Sequence, residues 1–315
     1  PMPANRFERM TKTVWNVYVA ALRERADLYH FHDPELMGVG LALRALGARV
    51  VFDVHEDIPR DISDKPWIPA FLRRPVSMVS VLVLRAVHRC YSAIVTATPA
   101  IARRFPHQRT VVICNYPNID ELPIAVQGSF SNRARTAIYL GEMSELRCIE
   151  EMVAAMGSPE LGEGIRLQLA GRFETEDLEQ RIRSMPQSSR VDYLGYCPRS
   201  QVPRVLGNAR AGLLLFRPAA NHEEAMPTKL FEYLGAGLPV IVSNTFEKSS
   251  IVQEHECGIV VDPFDITAIA RAMTFLIENP AIAEQMGERG RQLITNRYQW
   301  TSEAKKLTTL YAQIV

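Results

Sequence analysis

The chain has 315 residues, 47% of them hydrophobic, and a formal net charge of +1. That length suits two domains of ordinary size, each with a buried core, and the near-neutral balance without any basic run carrying interleaved aromatics excludes a nucleic-acid partner. The cysteines, Cys90, Cys114, Cys148, Cys197 and Cys257, have no close pair, which excludes a disulfide framework or a cysteine zinc site and marks reduced thiols of a cytoplasmic protein. No apolar run reaches the roughly 18 to 20 residues of a membrane-spanning helix, and the first residues lack a signal-peptide pattern. The opening Pro1-Met-Pro-Ala-Asn reads like the inside of a longer protein.

Helical and strand patterns alternate along nearly the whole chain, as in parallel sheets covered on both faces. An amphipathic helix over 7–25 leads into a strand at 27–32, and a helix at 34–46 precedes a strand at 49–54. Residues His30-Phe-His32-Asp33-Pro34 end the first strand, with His30 and His32 on one side of it. A metal pair is one reading, but His-x-His alone lacks a third ligand. Histidines satisfied in a core are the other, which fits His30 better than His32. His55-Glu56-Asp57 follows the second strand and either positions a hydroxyl or caps the turn at Pro59. Gly38-Val-Gly40 has no third glycine at position 43, so it is no dinucleotide fingerprint.

The helix at 73–91 is strongly apolar, with Arg73, Arg74, Arg85 and Arg89 at its edges. It reads either as a buried crossover or as a peripheral contact with anionic lipid. Strands at 93–98 and 110–114 complete the first half, which is mildly basic. Residues 120–135 are polar and lose periodicity, so the linker falls there. The resulting division is a first domain at 1–131, a second at 132–299 and a closing helix at 300–315.

The second half restarts with a strand at 136–140 and adds strands at 165–170, 191–195, 211–216, 239–243 and 258–261, a full Rossmann-like domain. Gly141 closes the first of these and Arg147 starts the next helix, where its guanidinium either grips phosphate bidentately or pairs with Glu150 or Glu151. Arg172 and Tyr196 end two further strands, where open α/β sheets bind ligands. An exposed loop arginine and a half-buried core tyrosine are the alternatives. From 267 onward the pattern is helical, broken at 279–280 and near 300.

The densest stretch is 221–243, in which Glu224 and Glu232 flank the turn Pro227-Thr228-Lys229. Thr228 is placed to cap a helix starting near Lys229, so that the first-turn amides, the helix dipole and the Lys229 ammonium face an anion. One turn in, Glu232 can accept hydrogen bonds from vicinal hydroxyls, as a ribose offers. Cation, helix start and hydroxyl reader in this order suit a nucleoside diphosphate.

Glu224, seven residues and Glu232, followed by Tyr233-Leu-Gly-Ala-Gly-Leu-Pro-Val-Ile-Val, resemble the donor-site signature of retaining glycosyltransferases of the GT-B fold, family 4. The form Pro-Thr-Lys-Leu-Phe-Glu-Tyr resembles a branch found in bacterial surface-polysaccharide and lipopolysaccharide clusters. The resemblance implies an α/β protein of GT-B architecture, with two Rossmann-like domains facing a cleft and the first one incomplete, since family members carry further strands and a glycine-bearing loop before this start. It implies a last helix that crosses back onto the first domain.

It also implies a hexosyltransferase that moves a sugar from a nucleoside-diphosphate sugar, UDP- ahead of GDP-, to a bacterial surface glycan or polyprenyl-linked acceptor at the inner face of the membrane. Lys229, Arg147 and the helix amides would stabilise the departing phosphate, with no metal and no cofactor besides the donor substrate. Glu224 would hold donor sugar hydroxyls, Glu232 the ribose, and His32 would contact the sugar. Gly141, Pro227, Thr228 and Leu230 would line the donor, and Arg172 and Tyr196 the base. Family members have arginine where Glu142 stands, so Glu142 is expected to turn away and leave the second charge to Lys229. There is no Asp-x-Asp, which disfavours the metal-dependent GT-A type. Two other readings are a nucleotide-sugar-binding or regulatory subunit and a nucleotide-sugar epimerase or hydrolase.

Overall fold

A computed structural model describes residues 8–64, 68–122, 130–218 and 226–315. It has two compact units, Pro1–Asn115 with Thr301–Val315, and Tyr116–Trp300.

The first unit holds a four-stranded sheet in the order β1 (Leu28–Phe31), β2 (Arg49–Val54), β3 (Ala93–Thr96), β4 (Thr110–Val112), every pair parallel. Because side chains alternate along a strand, Val50, Phe52 and Val54 of β2 enter one core with Leu43, Leu84, Tyr91 and Ile94. Val51 enters the opposite core with Val95, Ile113 and Leu310 of the last helix, Trp300–Ile314. Both faces being covered, β2 is apolar almost throughout. Asp53 is the exception, and it falls on the face covered by the last helix. That helix is further tied to the sheet by buried Glu303, which accepts from the Cys114 amide at 3.0 Å and from Lys306 Nζ at 2.7 Å.

The helix Ala70–Val87 is not buried along its length. Leu84 and Val87 are inside, and Ser77 Oγ donates to Pro59 O at 2.8 Å, whereas Phe71, Met78 and Leu82 are 79%, 69% and 62% exposed. The buried-crossover reading therefore describes only one of its faces, because residues 77, 80, 84 and 87 share the inner stripe and 71, 78 and 82 the outer one.

The second unit has a six-stranded parallel sheet in the order β10-β9-β8-β5-β6-β7, comprising β5 (Thr136–Leu140), β6 (Arg166–Ala170), β7 (Val191–Gly195), β8 (Ala211–Leu214), β9 (Val240–Ser243) and β10 (Gly258–Val261). The strand order reverses between β5 and β8, which puts the crevice of a doubly wound sheet at their carboxyl ends. Ala137 and Tyr139 of β5 enter the core on one face, Ile138 and Leu140 that on the other.

The division between units lies at Asn115, not at 131. Tyr116, Ile119 and Leu122 pack into the second unit's core, and Tyr116 forms an aromatic trio with Phe231 and Tyr298, its ring centroids 5.1 and 5.2 Å from theirs. The polar composition of 120–135 hid this, because Tyr116 and Ile119 lie just ahead of it and Leu122 stands isolated near its start.

Candidate functional site

The helix Thr228–Gly235 starts beside the carboxyl end of β5 and is held there by its own core residues. Tyr233, fully buried, accepts a hydrogen bond from the Leu140 amide at 2.8 Å, and Leu230, Phe231 and Leu234 are buried around it. Lys229 lies one turn before Tyr233 and projects back across the strand end. Its Nζ donates to the Tyr139 hydroxyl at 3.2 Å and lies 5.0 Å from that ring's centroid. Tyr139 in turn donates to the Glu142 carbonyl at 2.6 Å, so one hydroxyl fixes both the lysine and the turn after β5.

Gly141 makes this approach possible. Its φ of +135° is a backbone conformation L side chains rarely adopt, and a Cβ there would overlap the Lys229 ammonium. Gly171, φ +152°, is constrained in the same way, since its Cβ would strike the Gly141 carbonyl. Backbone bonds lace these strand ends together: Gly141 N to Ala170 O at 2.7 Å, Gly171 N to Gly195 O at 2.7 Å, and Met143 N to Arg172 O at 2.8 Å.

Arg147 ends a short 3-10 turn, Glu145–Arg147, with its guanidinium 4.5 Å from the Phe216 ring centroid after β8. Pairing with Glu150 or Glu151 does not account for it. Arg217 takes Glu151 at 2.8 Å, and Arg181 takes Glu150 at 2.8 Å. Arg147 instead stands near enough to Lys229 to act on its proton. Burial first, and then the Arg147 charge, lower the Lys229 pKa from 10.5 to about 8, with Glu232 and Glu142 opposing. Lys229 and Arg147 thus carry like charges at this strand end, with Glu232 and Glu142 as the opposing ones.

The capping expectation is corrected. Thr228 is the first helical residue, Pro227 (φ −68°, ψ 119°) is the N-cap, and no side chain caps the helix. Proline fixes φ and cannot cap, so the first-turn amides keep no side-chain partner at their end. That outcome suits an anion better than a threonine cap would.

Glu232 is 13% exposed and in contact with Arg199, whose Nη1 bonds Oε1. Arg172 stacks on Tyr196 with its Cζ 5.0 Å from the ring centroid. Tyr196 is 66% exposed, so the core-tyrosine alternative fails. Glu142 is an exposed residue. Glu224 lies outside the described residues. The second unit therefore brings together Gly141, Arg147, Pro227, Thr228, Lys229 and Glu232, with Arg172 and Tyr196 on the neighbouring strand ends and Leu230 in the core below.

In the first unit His32 is exposed and belongs to a cluster around Asp53. Asp53 lies 3.2 Å from His30 Nε2, 3.3 Å from His32 Nδ1 and 3.3 Å from His55 Nε2, and the ring nitrogens of His32 and His55 are 2.9 Å apart. Burial would raise the Asp53 pKa, but the hydrogen bonds of His30 and His55 outweigh it and hold the carboxyl well below the usual range. Asp53 raises His55 in return, chiefly by hydrogen bonding. His30 is satisfied on both sides, by Asp53 and by Tyr311 Oη at 2.5 Å.

Asp53 supplies the third group that His-x-His alone lacks. Ligand atoms of His30, His32 and Asp53 lie within 4.8 Å of one another. Sequence separation concealed this, since Asp53 comes from the next strand. Tyr139, Phe216 and Arg199 were likewise missed. Tyr139 carried a weak signal, a tyrosine two residues before the glycine that ends a strand, while Phe216 and Arg199 carried none.

The doubly wound sheet carries at its switch point a helix start without a side-chain cap, together with Lys229 and Arg147. The family model for glycosyl transferases group 1 matches residues 124–293, more than half of the chain, and a glycosyl transferase 4-like domain matches 1–115; the chain belongs to the glycosyl transferases group 1 family. Glycogen synthase of Mycobacterium tuberculosis is 22% identical over 294 residues, covering 91% of this chain and 69% of the relative. Phosphatidyl-myo-inositol mannosyltransferase of Mycobacterium leprae is 23% identical over 298 residues, covering 91% and 74%. Among solved structures, sucrose-phosphate synthase from Thermosynechococcus elongatus matches with a TM-score of 0.74 at 19% identity, over 100% of this chain and 80% of that one. Anabaena Alr3699/HepE in complex with UDP and glucose matches with 0.74 at 15% identity, over 99% and 84%. At such identities the structural likeness establishes the fold, which is GT-B with two Rossmann-like domains.

Proposed function

We propose that this glycosyltransferase is a retaining hexosyltransferase that uses a nucleoside-diphosphate sugar, UDP- ahead of GDP-, and a bacterial surface glycan or polyprenyl-linked acceptor. The observation that carries the donor assignment is the Lys229–Arg147 pair at Gly141, whose mutual repulsion a diphosphate would relieve. In this reading the bond from the anomeric carbon to the phosphate oxygen breaks while the acceptor oxygen bonds the same carbon on the same face. The acceptor's proton passes to the departing phosphate. Lys229, Arg147 and the amides of the helix start stabilise the charge on that phosphate, which requires no metal. Pro227 and Thr228 line the phosphates, Glu232 holds the ribose, Arg172 and Tyr196 flank the base, and Glu224 and His32 serve the sugar hydroxyls.

Support for UDP comes from Anabaena HepE, described with UDP-glucose, while GDP-mannose-dependent mannosyltransferases among the relatives keep GDP in the test. A relative acting on phosphatidyl-myo-inositol supports a lipid-borne acceptor. The outer stripe of Ala70–Val87, with exposed Arg74 and Arg85 beside Phe71, Met78 and Leu82 and exposed Arg89 just past its end, suits peripheral contact with an anionic cytoplasmic leaflet. No helix among the described residues is long and apolar enough to cross a membrane.

The test is release of UDP or GDP from a panel of nucleotide sugars in the presence of polyprenyl-diphosphate-linked sugars, with the anomeric configuration of the product read by NMR. Acceptor-dependent release with retention is expected. Nucleotide binding without release, or acceptor-free consumption of the donor, would replace this reading with the binding-subunit or hydrolase reading respectively.

A further inference from the structure

Arg199 is the charged partner of Glu232, and nothing in the motif around Glu232 points to it. It opens the turn Arg199–Gln201 after β7, immediately behind Pro198, whose backbone (φ −67°, ψ 153°) is extended. Its side chain is held from two sides. Nη1 bonds Glu232 Oε1, and Nε lies 3.3 Å from Glu121 Oε2. Glu121 lies within the anchor segment, between Ile119 and Leu122, which pack into the second unit's core. The guanidinium thus bridges two carboxylates with different N–H groups.

That arrangement bears on what Glu232 can read. A glutamate carboxylate turns easily about its last bond, because that torsion has only a broad preference. A freely turning carboxylate accepts one hydroxyl nearly as well as two. Pinned at Oε1 by a guanidinium that is itself anchored, it presents a set plane, with Oε2 and the remaining lone pair of Oε1 available to accept. Two adjacent acceptor sites at a set angle suit a vicinal diol.

We propose that Arg199 is a positioning residue that fixes the Glu232 carboxylate for a ribose 2′,3′-diol and so sets the preference for ribo- over 2′-deoxyribonucleotides. The proposal rests on the reading in which Glu232 holds the donor ribose.

The test is calorimetric titration of the whole chain with UDP and GDP, each beside its 2′-deoxy counterpart, for the native protein and for Arg199→Ala, Arg199→Lys and Glu121→Gln. Native protein should prefer the ribonucleotide by roughly tenfold or more, the scale of a lost hydrogen bond to a charged group. Arg199→Ala should bring that preference to within about threefold of unity by weakening the ribonucleotide alone. Arg199→Lys should restore it only in part, because one ammonium cannot hold two carboxylates in a fork. Glu121→Gln, which leaves the Glu232 contact in place, should lower it less than Arg199→Ala does, and thermal melts show whether each variant is folded. An unchanged preference in Arg199→Ala, equal weakening of both ligands, or tighter binding of the ribonucleotide each overturns the positioning role. Failure of native protein to bind either nucleotide overturns the donor reading itself, and the proposal with it, and is told apart by occurring before any substitution.

Discussion

Raising the pH through the Lys229 transition perturbs the donor site without changing a residue. In the folded chain the Lys229 pKa is lowered from 10.5 to about 8, by burial and by Arg147. That fall corresponds to about 3 kcal/mol of penalty on the charged form. A diphosphate that restores the ordinary Lys229 pKa in the complex recovers about this amount, worth about two orders of magnitude in affinity. The signs follow from which state holds the proton. Below pH ~7 the ammonium is charged in free and bound protein, so affinity is flat; above pH ~8 binding must first take up a proton, so affinity falls by up to about tenfold per pH unit. Stability moves oppositely. Between about 8 and 10.5 the unfolded chain holds the extra proton, so this group's contribution to folding stability rises with pH across that window.

The assay is nucleotide titration calorimetry from about pH 6.5 to about pH 9.5, in two buffers of different ionisation enthalpy that reveal proton uptake. Lys229→Ala should lose about a hundredfold in affinity and with it the inflection, whereas Lys229→Arg should keep affinity while losing the inflection. Flat affinity across the range, or Lys229→Ala within about threefold of native, would refute the two-cation account.

Further outcomes follow from single contacts. Gly141→Ala must both adopt φ +135° and displace the Lys229 ammonium, so a cost of order 1 to 3 kcal/mol in thermal stability and a large loss of nucleotide affinity are expected, read by melting and calorimetry. Glu303→Ala leaves the Cys114 amide without its carboxylate and should destabilise the first unit by about 2 kcal/mol in urea titration, with nucleotide affinity unchanged. Leu82→Glu combined with Met78→Glu should abolish sedimentation with anionic vesicles and leave the folded structure intact, because both side chains are exposed.

How much was legible in the sequence depended on whether the relevant residues stood close together along the chain. Strands announced themselves as apolar runs, and the Pro227-Thr228-Lys229 turn with Glu232 sat within one helical turn, so those parts could be read directly. Gly141 was legible as a glycine closing a strand, whereas Arg147, expected to open a helix, ends the 3-10 turn Glu145–Arg147 and the helix begins at Ile149 after left-handed Cys148. What could not be read were pairings made by topology. Asp53 reaches His30 and His32 only because β1 lies beside β2, and Arg199 meets Glu232 only because the end of β7 comes near the start of Thr228–Gly235. The cap at Thr228 was misplaced by one residue because Pro227, whose carbonyl accepts from the Leu230 amide but whose side chain offers no acceptor, took the cap position. The exposure of Ala70–Val87 was hidden because an apolar stripe facing solvent has the same periodicity as one facing a core.

The most direct test of the donor site is a calorimetric titration of the chain with UDP, GDP and ADP, without added metal, alongside Glu232→Ala. Saturable binding of UDP or GDP, weakened at least about tenfold by the substitution, is the expected result. Absence of binding by all three, or binding that Glu232→Ala leaves unchanged, would contradict a nucleotide-sugar site built on Lys229, Arg147 and Glu232.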